Sequence, residues 1–210
     1  MSDPDRRLLE LAAACYEQLG MTAEAARCYR DAGSYRRAAD LYARLGQFRE
    51  AALDFGRAGQ QDLAAWLLVH EAGDPAAAQA ALAPLPAIGT GGITPPPAVR
   101  PLRQRLVLAR CDVAAGASER TALPVLAEAC TDLAKPGARY DPYVEPWAVV
   151  LAQAVGREDQ VALVFAAAVG GNRVGAAQRW AAWTRETLHA ELILPPAATG
   201  SGVLSPGAAA

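Results

Sequence analysis

The stretch that decides the fold is GSYRRAADLYARL, residues 33–45, because the chain repeats its ruler on both sides. Gly33 is followed five and six residues on by Ala38-Ala39, and nine residues on by Tyr42. Gly20 leads in the same way to Ala25-Ala26 and Tyr29, Gly46 to Ala51-Ala52 and Phe55, and Gly59 to Ala64-Ala65 and Leu68. These four glycines stand 13 residues apart. The ruler fades after Gly73 (Ala78, Gln79, Leu82). It returns at Gly156 (Val161-Ala162, Phe165) and at Gly171 (Ala176-Ala177, Trp180). A first unit lacks its glycine but keeps Ala12-Ala13 and Tyr16.

At 100° per residue, offsets five, six and nine lie within about 100° of one another on a helix. Offset two, occupied by Tyr35 and Phe48, falls beside offset nine. Each unit therefore carries one apolar stripe, with Arg, Asp, Glu and Gln opposite. The glycine ends each helix, because the residue after the cap usually needs a positive φ. About ten helical residues remain, roughly 15 Å, too short to persist alone in water. Such helices must stack. The Ala pair lets two backbones approach, and the large residue fills the gap beside it. The spacing predicts an all-α chain, an α-solenoid of short antiparallel helix hairpins.

The step Ala25 to Tyr29, Ala38 to Tyr42 and Ala51 to Phe55 resembles the second-helix signature of the tetratricopeptide (TPR) family. Two units here make about 26 residues against 34 in that family, and its Trp-Leu-Gly-Tyr signature and terminal Pro are absent. The likeness is to a short-helix variant, and it covers residues 4–83 well and 143–189 loosely. It implies an adaptor or scaffold.

Composition narrows the partners. The formal charge is −2 over 210 residues. Residues 1–83 hold nine arginines against twelve acids, which argues against nucleic acid and against a membrane surface. Lys135 is the only lysine, and the wealth of Ala, Arg and Pro suits a GC-rich bacterial genome. Cys15, Cys28, Cys111 and Cys130 have no CxxC spacing and read as small residues beside helix stripes. The acidic N-terminus is not expected to act as a signal sequence, and the prolines and glycines in the uncharged run 75–99 argue against a membrane helix there. A soluble cytoplasmic chain is expected.

Four segments are expected: repeats over 1–83, a Pro/Gly linker or loop over 84–98, a second helical block over 99–194, and a disordered tail over 195–210. Asp74-Pro75 is a helix start. The second block reads as helices ending near Gly116, over 121–134, and over 146–155, 158–169 and 172–189. Leu192-Ile193-Leu194 reads as an extended run that packs on its own domain or adds an edge strand to a partner.

No constellation specifies a reaction, and no cofactor is expected. His70 and His189 stand apart from any metal-spaced cluster. The glycines at 89–92 lack the Lys-Ser/Thr of a phosphate loop. Glu145, Glu158 and Asp159 sit at helix starts, where carboxylates stabilise free N–H groups. Binding candidates are Arg27, Arg30, Arg36, Arg37 and Arg44, as solvated faces or a groove for an acidic peptide, and Trp183, as core or as an exposed anchor. The leading expectation is a non-enzymatic scaffold or adaptor for another protein or peptide. One alternative is an accessory subunit of a bacterial multi-gene AAA+ ATPase (conflict-type) system, a likeness of style only. The other is an enzyme of unrecognised type.

Overall fold

In this computed structural model, the structure describes residues 2–83, 100–137 and 141–194. The expected linker 84–98 and tail 195–210 lie outside the described residues. Every regular element among those described is helical. The helices are α1 (Asp3–Gln18), α2 (Thr22–Asp31), α3 (Tyr35–Arg44), α4 (Phe48–Arg57), α5 (Gln61–His70), α6 (Pro75–Ala81), α7 (Leu102–Ala114), α8 (Leu123–Leu133), α9 (Val144–Ala154), α10 (Glu158–Gly170) and α11 (Ala176–Trp183). A 3-10 turn covers Glu119–Thr121 and a π-helical turn Thr184–Leu188.

The period of 13 has a simple construction. Helices α2 to α5 are each 10 residues long. A C-cap, a glycine and an N-cap complete the unit. Gly33 has φ 77°; its N–H donates to Arg30 O at 3.0 Å, and the N–H of Ser34 donates to Tyr29 O at 2.8 Å. This is the paired-bond helix ending that needs a left-handed residue. Ser34 then serves as N-cap of α3, so one residue closes one helix and opens the next. The same bonds recur from Met21 to Tyr16, Gln47 to Tyr42 and Gln60 to Phe55. The stripe residue at offset nine is thus also the acceptor of the closing bond.

The stripe is the core. Ala25, Ala26, Ala38, Ala39, Tyr29, Tyr42 and Phe55 are all buried. Each helix from α1 to α6 packs on the next in sequence. At the start, Ser2 and Asp5 form a reciprocal capping box. Asp74 caps α6 by accepting from Ala77 N at 2.9 Å, with Pro75 at the first helical position.

The chain divides into two compact units, Met1–Val125 and Leu126–Ala210. The first extends past the segment 84–98 because α7 packs on α5 and α6. Its Leu106 and Val107 are buried, and Arg103 pairs with Asp62 at 2.6 Å. In the second unit α9 packs on α10, and α10 on α11. Two expectations change there. The helix expected over 172–189 is instead α11 followed by the π-helical turn, because Gly175, at φ 74°, forms the N-cap of α11. Gly171 has φ −82°, and the left-handed residue is Asn172. A Cβ on Gly171 would overlap the Leu133 carbonyl oxygen, so this glycine serves a close approach of two helix ends. Leu192-Ile193-Leu194 has no regular structure: Trp180 Nε1 donates to Leu192 O at 2.6 Å, while Ile193 is 96% exposed.

Candidate functional site

The arginines picked out in the sequence part into two sets. Arg30 Nε donates to Asp54 Oδ2 at 2.7 Å and its Nη2 to Glu50 Oε2 at 2.8 Å, reaching past α3. Its guanidinium lies 4.3 Å from the Tyr42 ring centroid. Asp54 is 0% exposed and takes a second bond from Arg57 at 3.1 Å. Arg36 lies over the Phe55 ring and Arg37 over the Tyr29 ring. These three arginines cover stripe aromatics of neighbouring helices, a packing role for a planar cation. Arg27 and Arg44 are exposed on α2 and α3. Glu17 accepts from the Tyr29 hydroxyl at 2.8 Å; burial first, then this bond, holds the phenol above its ordinary pKa. Ser34 Oγ donates to Glu10 at 2.6 Å and is the main cause holding that carboxyl below its ordinary value.

A concavity of about 1100 Å³ lies elsewhere in the first unit, among α4, α5, α6 and the start of α7. Arg49, Ala52, Leu53 and Gly56 of α4 line it at helical spacing, opposite the Ala51, Asp54 and Phe55 face that packs inward. Ala64 and Leu68 of α5 and Ala77 and Ala80 of α6 continue the floor. Arg100 and Gln104 close the far side. Leu53 is 57% exposed within it. The sequence carried the signal in two letters: Leu53, a large apolar residue off the repeat's stripe, and Gly56 inside a helix, where a glycine needs a packing or functional reason.

Trp183 belongs to the second unit. It is half-buried and stacks on Trp180 at 5.5 Å between ring centroids. Its Nε1 is buried without a hydrogen-bond partner. It lines a cavity of about 720 Å³ together with Pro142, Pro146 and Phe165. In the wall Glu145, 1% exposed, accepts from Arg179 Nε at 2.6 Å and Nη2 at 2.7 Å. Glu145 is therefore half of a buried fork rather than an exposed first-turn carboxylate. Asp159 does stay at its helix start, and Arg157 beside it holds it well below the usual carboxylate range.

The groove offers methyl groups, two rim cations and amides, a surface for binding. His70 packs by the Trp66 ring at 5.4 Å between centroids. Cys111 and Cys130 are pushed up to about 11 by burial. Among the described residues no group of three or more His, Cys, Asp or Glu is placed to hold a metal ion. Among the same residues no helix is long and apolar enough to cross a membrane. No protein-family model, curated protein or solved structure matches the chain.

Proposed function

We propose that the chain is a non-enzymatic helical-repeat scaffold, TPR-like with shortened helices, whose units stack as an α-solenoid and whose α4–α7 groove receives a partner protein or peptide. The observation that carries this is the groove itself: three helices, α4, α5 and α6, turn small side chains and an exposed leucine toward one concavity of about 1100 Å³, and Gln104 of α7 borders it. Clefts for small ligands run from about 300 to 1,000 Å³ and are usually lined by bulkier apolar and aromatic groups with a few converging polar ones. A methyl-lined trough suits a larger, ridged surface.

Affinity capture from a lysate of the source cells, run in parallel with the chain and with a Leu53→Asp variant, tests this. Leu53 is mostly exposed, so the variant keeps its fold, and circular dichroism checks that. A stoichiometric partner held by the native chain and lost by the variant is the expected result. A partner set that ignores Leu53→Asp removes the groove from the proposal.

A further inference from the structure

We infer that the occupant of the α4–α7 groove is an amphipathic helix whose apolar face is bordered by acidic residues. This rests on the partner-binding proposal and adds the partner's conformation and charge.

Conformation follows from hydrogen bonding. The groove walls are helices, whose interior backbone N–H and C=O groups are already paired along their own axes. An extended segment laid in such a trough could pair its backbone groups only with water and the few polar side chains of the lining, Arg49, Gln61, Arg100 and Gln104. A helix brings its backbone bonds with it. The floor residues Ala52, Gly56, Ala64, Ala77 and Ala80 carry nothing longer than a methyl. A partner axis can approach to about 8 Å over such a floor. Volume agrees: a cylinder about 10 Å wide and two to three turns long displaces on the order of 1,000 Å³, against about 1100 Å³ in the groove. Leu53 and Leu68 would sit between partner apolar residues spaced i, i+3 or i+4, i+7.

Charge follows from the rim. Its carboxylate, Glu50, is already engaged by Arg30 at 2.8 Å. Arg49 is 68% exposed and shares Asp74 at 3.2 Å, while Asp74 also caps α6. Arg100 has no ion pair among the described residues. The lining thus carries two arginines against one carboxylate, and Arg100 is the one of the three with no ion pair among the described residues, which favours acidic residues flanking the incoming apolar face and disfavours basic ones.

The test is selection on the full chain from a displayed library of amphipathic helices of about four turns. Leucines are fixed on one face and the flanking positions are randomised. Expected are enriched Asp and Glu at the flanks. Affinity of the enriched helices should fall at least tenfold on Leu53→Asp and severalfold on Arg49→Glu or Arg100→Glu, with weakening by added salt. Enriched helices with neutral or basic flanks that still lose Leu53→Asp would overturn the charge inference and leave the groove proposal standing. No enrichment, or enrichment indifferent to Leu53→Asp, would remove both. Enrichment only after residues 84–99 are replaced by a Gly-Ser run of equal length would make that segment the occupant and overturn the partner inference.

Discussion

Gly33 and Gly171 occupy the same place in the ruler and serve different ends. A Cβ at Gly33 would meet open space, and only its φ of 77° resists substitution. Gly33→Ala should cost about 1–2 kcal/mol, the strain of a left-handed residue. Gly171 has an ordinary φ, but its Cβ would strike the Leu133 backbone. Backbone cannot swing aside as a side chain can, so Gly171→Ala should cost about 3 kcal/mol, at the upper end for overpacking. Urea melts of the two variants give the order; equal losses would contradict it. The φ role was legible in spacing. The close approach was not, because Leu133 is distant in sequence and no local pattern marks it. The buried Cys111 thiol and the half-buried Cys130 thiol supply a second residue-scale expectation. Burial pushes the Cys111 and Cys130 thiols up to about 11 in the fold, above the ordinary thiol value near 9.0. Between those values the unfolded chain sheds protons that the folded chain keeps. The stability they contribute is fully present below pH 9 and is lost as pH rises toward 11. Urea titrations over that range should show the fall, and a Cys111→Ala, Cys130→Ala double variant should show a shallower one.

At the scale of the helix, ten residues plus a three-residue joint could be read from the sequence because the whole device is local: glycine, small pair, large apolar residue. What ties helices together could not. Arg30 sits on the polar side of its unit and read as a solvated cation, yet it crosses to Asp54, which is wholly buried. Arg30→Met leaves that carboxylate one cation short and should cost about 3–5 kcal/mol, while Asp54→Leu added to it should recover much of the loss. A double-mutant cycle in urea measures this. Arg173 works at another helix end: it donates to the carbonyl oxygens of Leu133 at 3.1 Å, Asp132 at 3.2 Å and Lys135 at 3.0 Å, gathering the carbonyls where α8 ends, of which Asp132 O also accepts from Lys135 N at 3.3 Å. Arg173→Ala should destabilise by about 1.5–3 kcal/mol and speed amide exchange first in the last turn of α8. Arg173→Lys should rescue little, having no fork. The groove was half legible in the same way: Leu53 and Gly56 announce a used surface, but α6 and α7 join it only in space.

For the molecule as a whole, the period makes a sharp demand on length. Removing residues 33–58, two full units, joins Ala32 to Gly59 in the same phase of the ruler. That variant should still unfold cooperatively, whereas removal of residues 33–52 should destroy cooperativity, because it splices helix onto helix out of phase. Circular dichroism melts of the two deletions decide it, and equal behaviour would count against the repeat. The three-residue joints also bear on how the first unit would answer a pull on its ends. A joint in which one residue closes a helix and opens the next holds no slack, so extension would have to proceed by whole links. Each 13-residue link would release about 45 Å of contour. The Arg30–Asp54 clasp spans α3, so α2, α3 and α4 would let go together, one long rip among short ones.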